Sequence, residues 1–246
     1  MENVYLYSWH DAIAFALFAA SWIGYSLATD GHMVKRPSLN TLMNKERVNW
    51  MRVMTTRELR VIDTSIIAGL QQGTAFFAST SVFAIGGCFA LMNASDQVIN
   101  IASHLPVMIP SSRAMFEAKT AILLLIYSYA FFKFSWSYRL QNYCSILLGA
   151  VPFTEDGVPP SPAAVAAGEK ALKFNLLAGR HYNAGLRSIF LSIGFMGWYA
   201  GPYVFIASTL FILLVLVRRQ YFSRAREALL DAFPDAKPVS TFAGNA

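Results

Sequence analysis

Four long stretches of this sequence are almost free of charge, and they restrict the fold more than any other feature. They cover about residues 7–28, 65–92, 119–138 and 188–217. A helix needs roughly 20 mostly apolar residues to cross the ~30 Å hydrocarbon core of a bilayer. Backbone polar groups in lipid must find partners inside the segment, so stretches of this kind read as helices. Composition supports the same conclusion. Hydrophobic residues make up 55% of the chain and charged residues 14%, where a soluble chain carries about 25% charge. A soluble fold so poor in charge would leave a large apolar surface in water. A disordered chain needs the opposite bias. The sequence therefore predicts an all-α integral membrane bundle of four transmembrane helices with amphipathic surface helices. Residues 1–226 are expected to form one transmembrane domain and residues 227–246 a mobile tail. The first stretch lacks a basic n-region and opens on His10 and Asp11, so it reads as a retained span, not a cleaved signal.

The basic residues gather where the apolar stretches end. Lys35, Arg36, Lys45, Arg47, Arg52, Arg57 and Arg60 fill the first connection. Within it Met43, Trp50, Met54 and Val61 recur at intervals of 7, 4 and 7 residues, which places them on one face of a helix. That pattern predicts an amphipathic helix lying on the membrane surface; a solvated helix packed on a partner is the alternative. After a proline-rich turn at 152–162, Ser161-Pro162 suits an N-cap and first helical residue. The helix that follows carries Lys170, Lys173, Arg180 and Arg187 within about a third of its circumference. The formal charge of +6 thus reads as attraction to anionic headgroups, and no nucleic-acid partner is expected.

Lys and Arg near the spans set orientation. With four spans, the side holding residues 29–64 and 139–187 carries twelve basic residues and the other side seven. The twelve-residue side is expected to be cytoplasmic, with both termini outside. Gly201-Pro202, near the middle of the fourth stretch, offers another arrangement. If the chain turned back there, the count would become seventeen against two. Each half would then hold only about 15 residues, or ~22 Å of helix, so a single kinked span is expected instead.

Several polar and small residues lie within the apolar stretches. Gln71, Thr74, Ala78 and Ser81 share a face of the second, while Ser128, Ser135 and Asn142 repeat every seven residues in and after the third. Gly69 and Gly73 form a small-xxx-small pair, and Gly194, Gly197 and Gly201 cluster in the fourth. Such residues allow close helix contact and bonds across it; a polar path for a solute between spans two and three is the alternative. Lys133 reads as a snorkelling residue. Asp63, with Arg60 nearby, reads as a cap and anchor. Arg139, Asn142, His181, Asn183 and Arg187 are the candidate lining of a pocket for a headgroup or anionic ligand.

No metal, haem or other cofactor is expected. His10, His32, His104 and His181 lie at span edges or in loops without helical partners at metal-ligand spacing. Cys88 and Cys144 are the only cysteines and read as buried free thiols. No nucleophile elbow, phosphate loop or dinucleotide fingerprint is present.

Some of these residues also carry a likeness. Trp50-Met51 through Arg60 and Asp63, Phe76 to Thr80, Phe134 to Asn142, and His181 to Arg187 before Arg218-Arg219 together resemble the bacterial and plant membrane-protein family called domain of unknown function five-nine-nine. The likeness covers roughly residues 10–226. It implies a multi-pass bacterial membrane protein and supplies no activity, substrate or catalytic residue. The expectation is a multi-pass protein of the bacterial inner membrane, not an enzyme, acting through helix contacts as a homo-oligomer or as an accessory subunit of a membrane complex. The alternative is a small-solute or ion transporter.

Overall fold

The computed structural model describes residues 9–30, 36–104, 112–155 and 157–231. It is helical, with no strand among those residues. Four helices are long and apolar enough to cross a membrane: Trp9–Asp30, Val61–Asn93, Arg113–Gly149 and Pro202–Leu230. The elements in order are α1 (Trp9–Asp30), α2 (Leu39–Thr55), α3 (Val61–Asn93), α4 (Ser95–Ser103), α5 (Arg113–Gly149), α6 (Pro162–Met196), α7 (Pro202–Tyr221) and α8 (Arg224–Asp231).

The first three spans lie where the apolar stretches predict, and α5 extends well past both ends of its stretch. The fourth corrects the sequence reading. Residues 188–217 do not form one kinked helix. α6 ends at Met196, a 3-10 turn covers Gly197–Ala200, and α7 starts at Pro202. Gly201 sits at φ 130°, backbone that glycine enters without the Cβ clash of other residues. Ser208 Oγ donates to the Gly194 carbonyl at 2.6 Å and Arg219 lies over the Phe190 ring, so α7 runs back along α6. The length objection fails because α6 does not begin at its apolar part. It starts at Pro162, capped by Ser161 Oγ, which accepts from Ala164 N at 3.2 Å. Its 35 residues measure about 52 Å.

The turn-back places the chain ends on opposite ends of the bundle. α1 and α7 run parallel, through Phe18 against Phe205 and Tyr221 Oη donating to the Ala28 carbonyl at 3.0 Å. α3 and α6 both run antiparallel to α5. The first connection, the 150–161 turn and α8 therefore share one end. Among the described residues, that basic end carries fifteen Lys and Arg of the connections and the other end two.

α6 is the central helix, packed by α1, α2, α5 and α7. Its neighbours replace lipid around it, which explains why it can be rich in Ala, Gly, Ser and Asn. Phe18, Leu123, Leu191, Phe195, Trp198 and Phe205 fill the core toward the α6–α7 turn. Met51, Met54, Ile67, Cys144, Leu148 and Ala171 fill it toward the basic end.

α2 packs on the first half of α6, by a face that differs from the one the spacing predicts. Leu42, Met51, Met54 and Thr55 are buried, while Met43 and Val61 are exposed. The close approach depends on Gly168, where a Cβ would stand 2.5 Å from Thr55 Cγ2. Residues 227–231 of the expected tail are helical, as the end of α8. Arg226 is buried there and donates to the Pro37 carbonyl at 2.9 Å. Residues 232–246 and His32 lie outside the described residues.

Candidate functional site

The five residues expected to share one pocket separate into three places. Asn142 accepts from Gln71 Nε2 at 2.7 Å, inside the α3–α5 contact. Arg139 is exposed and donates to Tyr143 Oη at 2.6 Å. His181 stands edge-on to Trp136, whose ring Arg139 also approaches. Only Asn183 and Arg187 line a common cavity, of about 310 Å³. Helical spacing alone could not separate them, because Asn183 and His181 point to different neighbours of α6.

The cavity opens among α1, α2, α6 and α7 at the basic end. Arg187 is 7% exposed. Its two terminal nitrogens donate to Thr29 Oγ1 and to Asp30 Oδ2, each at 2.6 Å. Thr29 in turn donates to the Tyr25 carbonyl at 2.9 Å, so the guanidinium is held from the α1 side. Arg219 is exposed and rests 5.4 Å from the Phe190 ring centroid. Gln220 Oε1 accepts from Asn40 N at 3.3 Å, which ties α7 to the start of α2. Phe190 and Leu216 supply an apolar wall. Arg219 and Gln220 escaped the sequence reading because they lie beyond the fourth apolar stretch. They reach the cavity only through the α6–α7 hairpin.

The polar face of α3 is committed to helix contact. Thr74 donates to the Leu70 carbonyl at 2.8 Å, and Gln141 Nε2 donates to Thr74 Oγ1 at 3.2 Å. Ser81 donates to the Phe77 carbonyl at 2.8 Å. Ser128 and Ser135 are half-buried on α5. Gly69 and Gly73 are open on their Cβ side, where an added Cβ would meet nothing within 4 Å. The glycines that do pack are on α6 and at the start of the turn that follows it. A Cβ at Gly185 would stand 2.7 Å from the Phe134 ring and one at Gly197 2.2 Å from Ser208 Oγ. Gly201 is buried in the turn between α6 and α7, at φ 130°.

Two further polar groupings were not foreseen. At the basic end Arg47 reaches from α2 to the Asn175 side chain. Burial pushes its guanidinium below the usual arginine value, and the neighbouring Cys144 works in the opposite direction. At the far end Trp198 Nε1 donates to Asp11 Oδ1 at 2.6 Å, and Lys119 Nζ donates to the Trp198 carbonyl at 2.8 Å. Asp11 and Lys119 are both buried. They secure the turn between α6 and α7.

Asp63 is buried, with a different partner from the one expected. Its Oδ1 accepts from Arg57 at 2.6 Å and from Trp50 Nε1 at 2.7 Å. Arg60 instead donates to the carbonyls of Val151 and Pro152, at 2.6 and 2.7 Å. Lys133 lies 5.1 Å from the Tyr129 ring centroid. Cys88 and Cys144 are buried and free.

No curated protein and no solved structure matches the chain. A family profile does match, over residues 13–225, which takes in every helix that lines the cavity. The chain belongs to the family described as protein of unknown function, DUF599.

Proposed function

We propose that this is a non-enzymatic multi-pass protein of the bacterial inner membrane. It acts through helix contacts, as a homo-oligomer or as an accessory subunit, and the outer face of α3 is its contact surface. The exposure of α3 carries this reading. The helix has 33 residues and leans on α5 by one side. Only 11% of its most apolar window is buried. Its inward residues are Ile67, Thr74, Ser81 and Cys88. Gly69, Gly73 and Gly87 lie away from that row, about 60–160° round the helix from it and within ~40° of one another at 100° per residue. Phe76 and Phe83 stand exposed beside them. Glycine lets a second backbone approach closely, and van der Waals packing supplies the attraction that the hydrophobic effect cannot provide in lipid.

The pairing of Gln71 with Asn142 and of Thr74 with Gln141 favours this reading over a solute path between spans two and three. Polar groups that bond each other across a packed contact are not free to pass a solute along.

Native-mass measurement in mild detergent tests the proposal. Wild-type protein is expected above the monomer mass of 27.2 kDa, or together with a stoichiometric partner. Gly73→Phe is expected to shift it toward monomer. A strict monomer with no co-purifying partner, across protein concentrations, would overturn it.

A further inference from the structure

We infer that the cavity among α1, α2, α6 and α7 binds a phosphate-bearing anion of one net negative charge. This goes beyond the assembly reading and does not depend on it, since α3 contributes nothing to the cavity. Its volume of about 310 Å³ falls at the lower end of the ~300–1,000 Å³ typical of small-molecule sites.

The charge is the first reason. Two guanidinium groups, Arg187 and Arg219, face the space, and its lining includes no acidic side chain among the described residues. Asp30 neutralises Arg187 from the side. Arg219 has no carboxylate partner among the described residues and rests only on the Phe190 ring. One positive charge is left unbalanced, which suits a phosphodiester or a singly charged phosphate.

Donor geometry is the second reason. A guanidinium carries five N–H donors in a planar fork that matches phosphate oxygens. Thr29 and Asp30 engage only two of the Arg187 nitrogens, on the α1 side. They fix the plane of a buried guanidinium that also lines the cavity, which leaves further N–H donors for an anion there. Asn183 and Gln220 add side-chain amides to the lining. Because the Gln220 carbonyl oxygen is occupied by Asn40 N, its NH₂ is the end left to donate. The apolar wall is the third reason. Phe190 and Leu216 flank the same space and would receive the substituent carried by the phosphate. A headgroup with its glycerol and a free phosphate compound share this chemistry.

The test uses the full chain in a mild nonionic detergent, and reads the rise in Tm as ligand is added. The probes are short-chain phosphatidylglycerol, short-chain phosphatidylcholine and inorganic phosphate. Phosphatidylglycerol is expected to raise Tm in a saturable way and phosphatidylcholine is not. Arg219→Gln removes an exposed side chain that makes no hydrogen bond among the described residues, and is expected to weaken the apparent affinity about tenfold, as loss of a charged hydrogen bond does. Arg180→Gln removes the same charge from an exposed site outside the cavity and is expected to leave affinity unchanged. A rise with inorganic phosphate that Arg219→Gln weakens in the same way identifies the free anion as the source and supports the proposal. It is overturned if neither anion raises the wild-type Tm, if phosphatidylcholine acts as strongly, or if Arg219→Gln binds like wild type or no worse than Arg180→Gln.

Discussion

Asp63 shows how far a single residue can be read from sequence. An acid at the start of an apolar helix is recognisable as an anchor, and Asp63 is one. Its partner could not be recognised, because Arg57 and Arg60 lie at similar distances along the chain. The connection bends so that Arg57 and Trp50 converge on one carboxylate oxygen, while Arg60 is drawn to the 150–152 turn. Asp63→Ala is expected to lower unfolding stability by ~1–3 kcal/mol, the cost of leaving a buried donor unpaired. In double-mutant cycles, thermal unfolding in detergent should show coupling of at least ~0.5 kcal/mol between Asp63 and Arg57 and none with Arg60. The reverse pattern would refute the assignment. The glycines allow a similar contrast. Gly185→Ala places a methyl against the Phe134 ring and is expected to destabilise by about 1–3 kcal/mol through overpacking. Gly87→Ala meets nothing within the chain. It should leave monomer stability within ~0.5 kcal/mol while changing any assembly made through α3.

The helices as elements were legible, since apolar length and the Ser161-Pro162 start signal are local properties. The α6–α7 boundary was not, because Gly201-Pro202 suits either a kink in one helix or a turn between two. Three side chains decide for the turn. Asp11 on α1 and Lys119 on α5 hold Trp198 by its indole N–H and its carbonyl, and Gly201 supplies the positive φ. Gly201→Ala is expected to cost ~1–3 kcal/mol, the range for a non-glycine residue held in sparsely populated backbone. An unchanged Tm in detergent would count against a strained turn. The face of α2 was misjudged for a related reason. Met43 and Val61 fit a stripe by spacing, but α2 ends at Thr55. Its contact with α6 follows the positions where Gly168 and Gly179 leave room.

For the whole molecule, the hairpin brings the 150–161 turn, the first connection and the C-terminal helix to one end, with residue 9 at the other. Fifteen described basic residues against two predict that this end faces the cytoplasm. A C-terminal green-fluorescent fusion should therefore glow, and a C-terminal alkaline phosphatase fusion should be inactive. An active phosphatase fusion would refute the topology. The sequence by itself determined the four apolar stretches, the all-helical class that follows from them, and the clustering of the basic residues, because each depends on composition over a window. Tertiary structure alone decided that α6 runs through the centre and that α7 returns beside it. It also decided that Asn183 and Arg187 meet Arg219 and Gln220 while Asn142 and Arg139 face elsewhere. Those outcomes depend on which backbones can approach, and that is set by a few glycines and buried pairs between segments far apart in the chain.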